Sequence, residues 1–147
     1  MPINYTEKGI GLIDALRAAG YPRFGSIDRV FHADCDNPTD TSNDAAVQAI
    51  IDAYDPLPDQ KADAVAAIKG TALEKMQTLF PSLSDIDTVN LVAELWQSLV
   101  SQAKSPTTDW QTVISIYTAA KGGIQSVNAA TDQAGIDSAV AAITWPI

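Results

Sequence analysis

Apolar positions along the chain fall into two kinds of pattern. Between Ile10 and Gly20, Ile10, Ile13 and Leu16 share one face at helical spacing, and Gly20 stands where a helix would stop. The pattern then breaks: Phe24, Ile27, Val30 and Phe31 are interrupted by Pro22, Gly25 and Ser26, which suits a small hairpin better than a helix. Residues 34–44 (DCDNPTDTSND) are almost wholly turn formers without periodicity, and are expected to be a loop.

Helical spacing dominates from there. Ser42 or Asn43 can cap a helix carrying Val47, Ile50, Ile51 and Tyr54 on one face, and the two prolines of Asp55–Asp59 (DPLPD) break it. Val65, Ile68, Ala72, Met76 and Leu79 predict a long amphipathic helix ending before Pro81. Ser84 with Asp87 resembles a capping box, followed by the stripe Ile86, Val89, Val92, Trp96, Leu99 and Ala103. Ser105 and Pro106 suit the start of another helix, with Trp110, Val113, Ile114, Tyr117, Ile124 and Val127 facing inward. Gly122 and Gly123 within it mark a kink, a close helix contact or a break, since each weakens a helix by about 1 kcal/mol relative to Ala. A last helix is expected from Asp132 to Ile143, before Trp145 and Pro146.

These elements predict a mainly α fold: a small N-terminal helix plus a β-hairpin, then a bundle of four to five antiparallel helices joined by short connections. The expected division is an N-terminal α/β element with an acidic loop over 1–59 and a helical bundle over 60–147. A weak internal echo places Lys69-Gly70, Ile86-Asp87 and Trp96 about fifty residues before Lys121-Gly122, Ile136-Asp137 and Trp145, as a duplicated helical hairpin would.

Charge narrows the function classes. The 147 residues carry a formal charge of -9, from 18 acidic and 9 basic side chains. Nine of the fifteen Asp lie between Asp28 and Asp63, opposed only by Arg29 and Lys61. Without a cluster of cations, binding to nucleic acid or to an anionic membrane surface is disfavoured. No apolar run is long enough to span a bilayer, and the first residues lack the basic start and apolar stretch of a signal peptide, so a soluble, non-secreted chain is expected. With one cysteine, Cys35, no internal disulfide can form.

Candidate chemistry is sparse. His32, Asp34, Cys35 and Asp36 crowd together with Asp40 and Asp44 nearby, but one Cys and one His complete no zinc pattern. As a calcium loop starting at Asp34 the stretch has Pro38, Thr39 and Ala45 where a carboxylate or amide, a glycine and a glutamate belong. A Cys35–His32 dyad lacks a third group to orient the base. Lys8-Gly9-Ile10-Gly11 lacks the ending of a phosphate loop. Glu74 and Glu94 fall beside their helix stripes, as solvated carboxylates do. No catalytic, cofactor or metal residues are expected. The residues that stand out are apolar: Trp96, Trp110, Ile114 and Trp145 are the candidate partner contacts.

Two stretches carry a resemblance. NYTEKGIGLIDALRAAG (Asn4 to Gly20) with SNDAAVQAIIDAYDPLPD (Ser42 to Asp59) resembles the opening of small proteins of tailed-bacteriophage tail modules. GIQSVNAATDQAGIDSAVAAITWP (Gly123 to Pro146) resembles the helical hairpin that closes phage tail-fibre and fibre-accessory proteins. The resemblance implies a non-enzymatic virion protein of the tail, baseplate or fibre region, with other tail or fibre proteins as partners and homo-oligomerisation as an option. Its location would be the virion, and the host cytoplasm during assembly. The alternatives are an assembly chaperone absent from the finished particle, and an acidic DNA mimic that inhibits a host protein.

Overall fold

A computed structural model describes residues 10–27, 30–102 and 108–146. In chain order the elements are α1 (Ile10–Ala18), β1 (Gly25–Ile27), β2 (Val30–His32), α2 (Asp44–Ala53), α3 (Leu57–Gln77), α4 (Thr88–Gln102), α5 (Thr108–Ala129) and α6 (Gln133–Ala141). The fold is mainly α, as the periodicity implies. The chain forms two compact units, Met1–Asp59 and Gln60–Ile147.

In the N-terminal unit, α1 buries Leu12 and Leu16, the former missing from the expected face. Gly20, at φ 92°, ends the helix: the Tyr21 N–H donates to the Leu16 carbonyl and the Gly20 N–H to the Arg17 carbonyl. This is a Schellman closure, whose left-handed position glycine occupies without a Cβ penalty. β1 and β2 pair antiparallel with Gly25 opposite His32 and Ser26 opposite Phe31. The rings of Phe24 and Phe31 stack with centroids 5.9 Å apart. Leu12, Leu16, Phe31, Ala33, Val47 and Ile51 form one core, with Tyr21, Phe24, Ile50 and Tyr54 packed around it.

Residues between β2 and α2 are a chain of tight turns. Asp34 accepts from the Asp36 N–H at 3.0 Å and Asp40 from the Ser42 N–H at 2.9 Å, the local bonding that suits Asp to turns. Asn43 is the N-cap of α2, yet its side chain makes no capping bond because its backbone is already close to helical, with φ -98° and ψ -7°. The proline break is shorter than the sequence suggests. Tyr54 turns extended ahead of Asp55 and Pro56, and Pro58 is accommodated in the first turn of α3, where a missing N–H leaves no helical bond unmade.

In the C-terminal unit, α3 buries Ile68, Ala72 and Met76, and the chain beyond it adds Phe80, Leu83 and Ile86 to the interior. α5 buries Val113, Ile116, Ala120, Gly123 and Val127. This row runs at steps of three and four, but differs from the expected face: Ile116 is inside and Ile114 is 45% exposed. The small residues Ala120 and Gly123 continue the row and let neighbours close in. α5 runs unbroken through the glycine pair. A Cβ on Gly123 would fall on the Ile143 side chain, whereas one on Gly122 would meet nothing, so of the three expectations for the pair the close contact holds, at Gly123 alone.

α3 and α5 run antiparallel: Lys61 Nζ donates to the Asn128 carbonyl at 2.8 Å near one end, and Leu79 lines a cleft with Thr112 and Ile116 near the other. α6 folds back along α5 as a hairpin. Its N-cap Asp132 accepts from the Gly135 N–H at 2.7 Å, as the sequence suggests for the start of this helix, and α6 ends at Ala141. Ile86-Asp87 precedes α4 while Ile136-Asp137 lies inside α6, so the internal echo does not map onto equivalent positions. The Ser105-Pro106 start and the side chains of Ile10, Val89 and Ala103 lie outside the described residues.

Candidate interaction surface

α4 presents two apolar faces, of which hydrophobicity along the sequence favours the one through Val92 and Trp96. Leu91 and Leu95 are buried, at 4% and 2% exposure, and Ser98 continues the same face at 1%. A serine is tolerated there because its hydroxyl is hydrogen bonded to that of Ser82, which satisfies a polar group that would otherwise oppose burial. The opposite face holds Val92 at 58%, Trp96 at 69% and Val100 at 68% exposure. Of the stripe expected from the sequence, Ile86 is buried and Leu99 half-buried, whereas Val92 and Trp96 face outward. The face with the polar interruption is the one that packs.

The entry to α4 also departs from a capping box. Ser84 is not the cap: its N–H and hydroxyl both donate to Glu94, at 2.9 and 2.6 Å. These bonds, the hydroxyl's first, hold the Glu94 carboxyl below its ordinary range. Glu94 is thus a clamp between the preceding loop and the helix rather than a solvated bystander. The helix starts at Thr88, with the Asp87 carbonyl accepting from the Leu91 N–H and Asp87 Oδ1 paired with Lys69 Nζ at 2.5 Å. Glu94 is the only charged side chain in α4.

The other singled-out residues are distributed differently. Trp110 is half-buried on α5, one turn before exposed Ile114. Trp145 is half-buried in the segment after α6, which folds back so that Pro146 lines a cleft of about 250 Å³ with Lys75, Leu79, Thr112 and Ile116. Val92 belongs to the stripe expected from the sequence, whereas Val100, which completes the row around Trp96, was detectable only as the residue four after it. A shallow groove of about 550 Å³ between α3 and α6 is lined by Ala64, Ala67, Ile136 and Val140, together with Asp63 and Asp137.

The polar cluster near Cys35 is tied into local structure. The Cys35 N–H donates to the Arg23 carbonyl at 2.8 Å, its sulfur lies against Gly25, and Arg23 pairs with Asp36 at 3.1 Å. Among the described residues, no three His, Cys, Asp or Glu side chains converge as a metal site would need. No described helix is long and apolar enough to cross a membrane.

No protein-family model, curated protein or solved structure matches the chain.

Proposed function

We propose that the protein is a non-enzymatic structural component of a bacteriophage tail, baseplate or fibre region, acting through protein-protein contacts of its C-terminal helical unit. The observation that carries this reading is the exposed Val92, Trp96 and Val100 stripe on a helix whose other face is already packed. Full burial of a valine is worth about 1.5 to 3 kcal/mol relative to exposure, and tryptophan is enriched among residues that dominate interfaces. A row of such side chains left in water on an ordered helix is what a contact surface provides before its partner is bound. The two sequence stretches similar to tail-module proteins supply the particle context.

The acidic half supports a connecting rather than a mimicking role. Carboxylates of Asp34, Asp40 and Asp55 each accept a backbone N–H two residues on, as turn-forming residues do. In purified particles, mass spectrometry is expected to find the chain in stoichiometric amount. Its absence from particles, with co-purification of a tail protein from infected cells, would replace this reading with the assembly chaperone.

A further inference from the structure

The outer stripe of α4 is symmetric. Trp96 stands at its midpoint, with Val92 four residues before and Val100 four residues after. Positions four apart lie on one ridge of a helix. A ridge that reads valine, tryptophan, valine in both directions pairs like with like about a two-fold axis. With two α4 helices antiparallel, Val92 of each copy meets Val100 of the other, and the two Trp96 rings meet at the axis. That is the isologous arrangement a closed dimer requires.

Charge on α4 permits the same occupant. Two copies of a chain with net charge -9 repel at most approaches. α4 has no basic residue, and both oxygens of its single acid are engaged by Ser84. The exposed Gln97 and Ser101 beside the stripe are neutral. Two copies can therefore bring their α4 helices together without opposing free carboxylates of the helix itself, while a partner selected for positive charge finds no complement on α4. The face is also small. A tryptophan contributes about 150 to 250 Å² on burial, so three side chains per copy fall short of the roughly 1,200 to 2,000 Å² of a stable interface.

We propose that α4 mediates antiparallel two-fold self-association of this chain, weak and concentration-dependent in solution. The inference rests on α4 being an interaction face, as in the proposed function, and not on the phage assignment.

Sedimentation equilibrium of the full chain, from about 10 µM to about 1 mM, tests it. The average mass is expected to rise from that of one chain toward that of two. Trp96→Glu, on a side chain already exposed, is expected to hold the chain monomeric with unchanged helix content and thermal midpoint. Orientation is read in a Cys35→Ser background by mixing chains carrying Val92→Cys with chains carrying Val100→Cys. The mixed disulfide should exceed either homodisulfide by roughly ten-fold, because cross-linking requires close Cα atoms. A monomer at every concentration, a dimer that survives Trp96→Glu, or dominant 92–92 cross-links would each overturn the proposal. A monomer found stoichiometrically in particles would sink this inference and leave the proposed function standing; a dimer absent from particles would do the reverse.

Discussion

The two compact units treat their apolar side chains differently. In the N-terminal unit, Tyr21, Phe24, Ile50 and Tyr54 pack against a single core, and the polar stretch outside it is held by tight Asp turns. In the C-terminal unit the core is just as dry, with Phe80 and Met76 at 0% exposure, yet Val92, Trp96, Val100, Ile114 and Val140 all remain exposed. Among the described residues, every large hydrophobic side chain left exposed belongs to this second unit. Charge and uncovered apolar surface are therefore segregated along the chain. Such segregation leaves the C-terminal unit free to make apolar contacts where like charge is sparse.

The sharpest contrast lies between buried and uncovered aromatics of the same unit. Phe80→Ala is expected to destabilise the C-terminal unit by about 3 to 5 kcal/mol in urea unfolding, through lost burial and a cavity. The neighbouring glycines of α5 should then behave oppositely. Gly123→Ala places a methyl on Ile143 and is expected to cost about 1 to 3 kcal/mol, whereas Gly122→Ala, with open space around it, should stabilise by about 0.5 to 1 kcal/mol. Thermal melts of the two variants moving in the same direction would contradict the packing described for α5.

Those glycines also show what was legible in the sequence. Helical spacing was enough for α3 because its apolar residues form one row through Ile68, Ala72 and Met76. In α5 and α4 adjacent rows compete, and hydrophobicity alone favours the bulkier one. The row that packs in α5 passes through Ala120 and Gly123, and that in α4 through Ser98, so each carries a residue that periodicity discounts. Burial of Ser98 depends on Ser82, sixteen residues away, and closeness at Gly123 depends on Ile143. Such pairings are tertiary facts without a local signature. Trp96 could be singled out from the sequence, but its outward direction could not.

Smaller effects test how α4 and α6 are anchored. Asp132→Ala removes the cap of α6 and is expected to cost about 1 kcal/mol. The Ser84–Glu94 clamp should be visible in pH dependence. Because Ser84 lowers the folded pKa of Glu94 below its ordinary 4.5, the clamp's stabilisation is fully present above that value and is lost as pH falls through the lower folded pKa. The stability difference between the native chain and Ser84→Ala should accordingly shrink on acidification when both are unfolded in urea from neutral pH downward. At the bottom of the scale, Trp96→Ala should change monomer stability by less than about 0.5 kcal/mol, since its side chain is 69% exposed.

Fluorescence of Trp96 alone, with Trp110 and Trp145 replaced by Phe, tests most directly whether the outer face of α4 pairs with that of a second copy. In dilute solution Trp96 should emit at the wavelength of a water-exposed indole and be quenched freely by iodide. As protein concentration rises, the emission should shift to the blue and quenching should fall, and Val100→Glu should abolish both changes. A Trp96 already shielded in dilute solution, or one equally exposed at every concentration, would contradict the account.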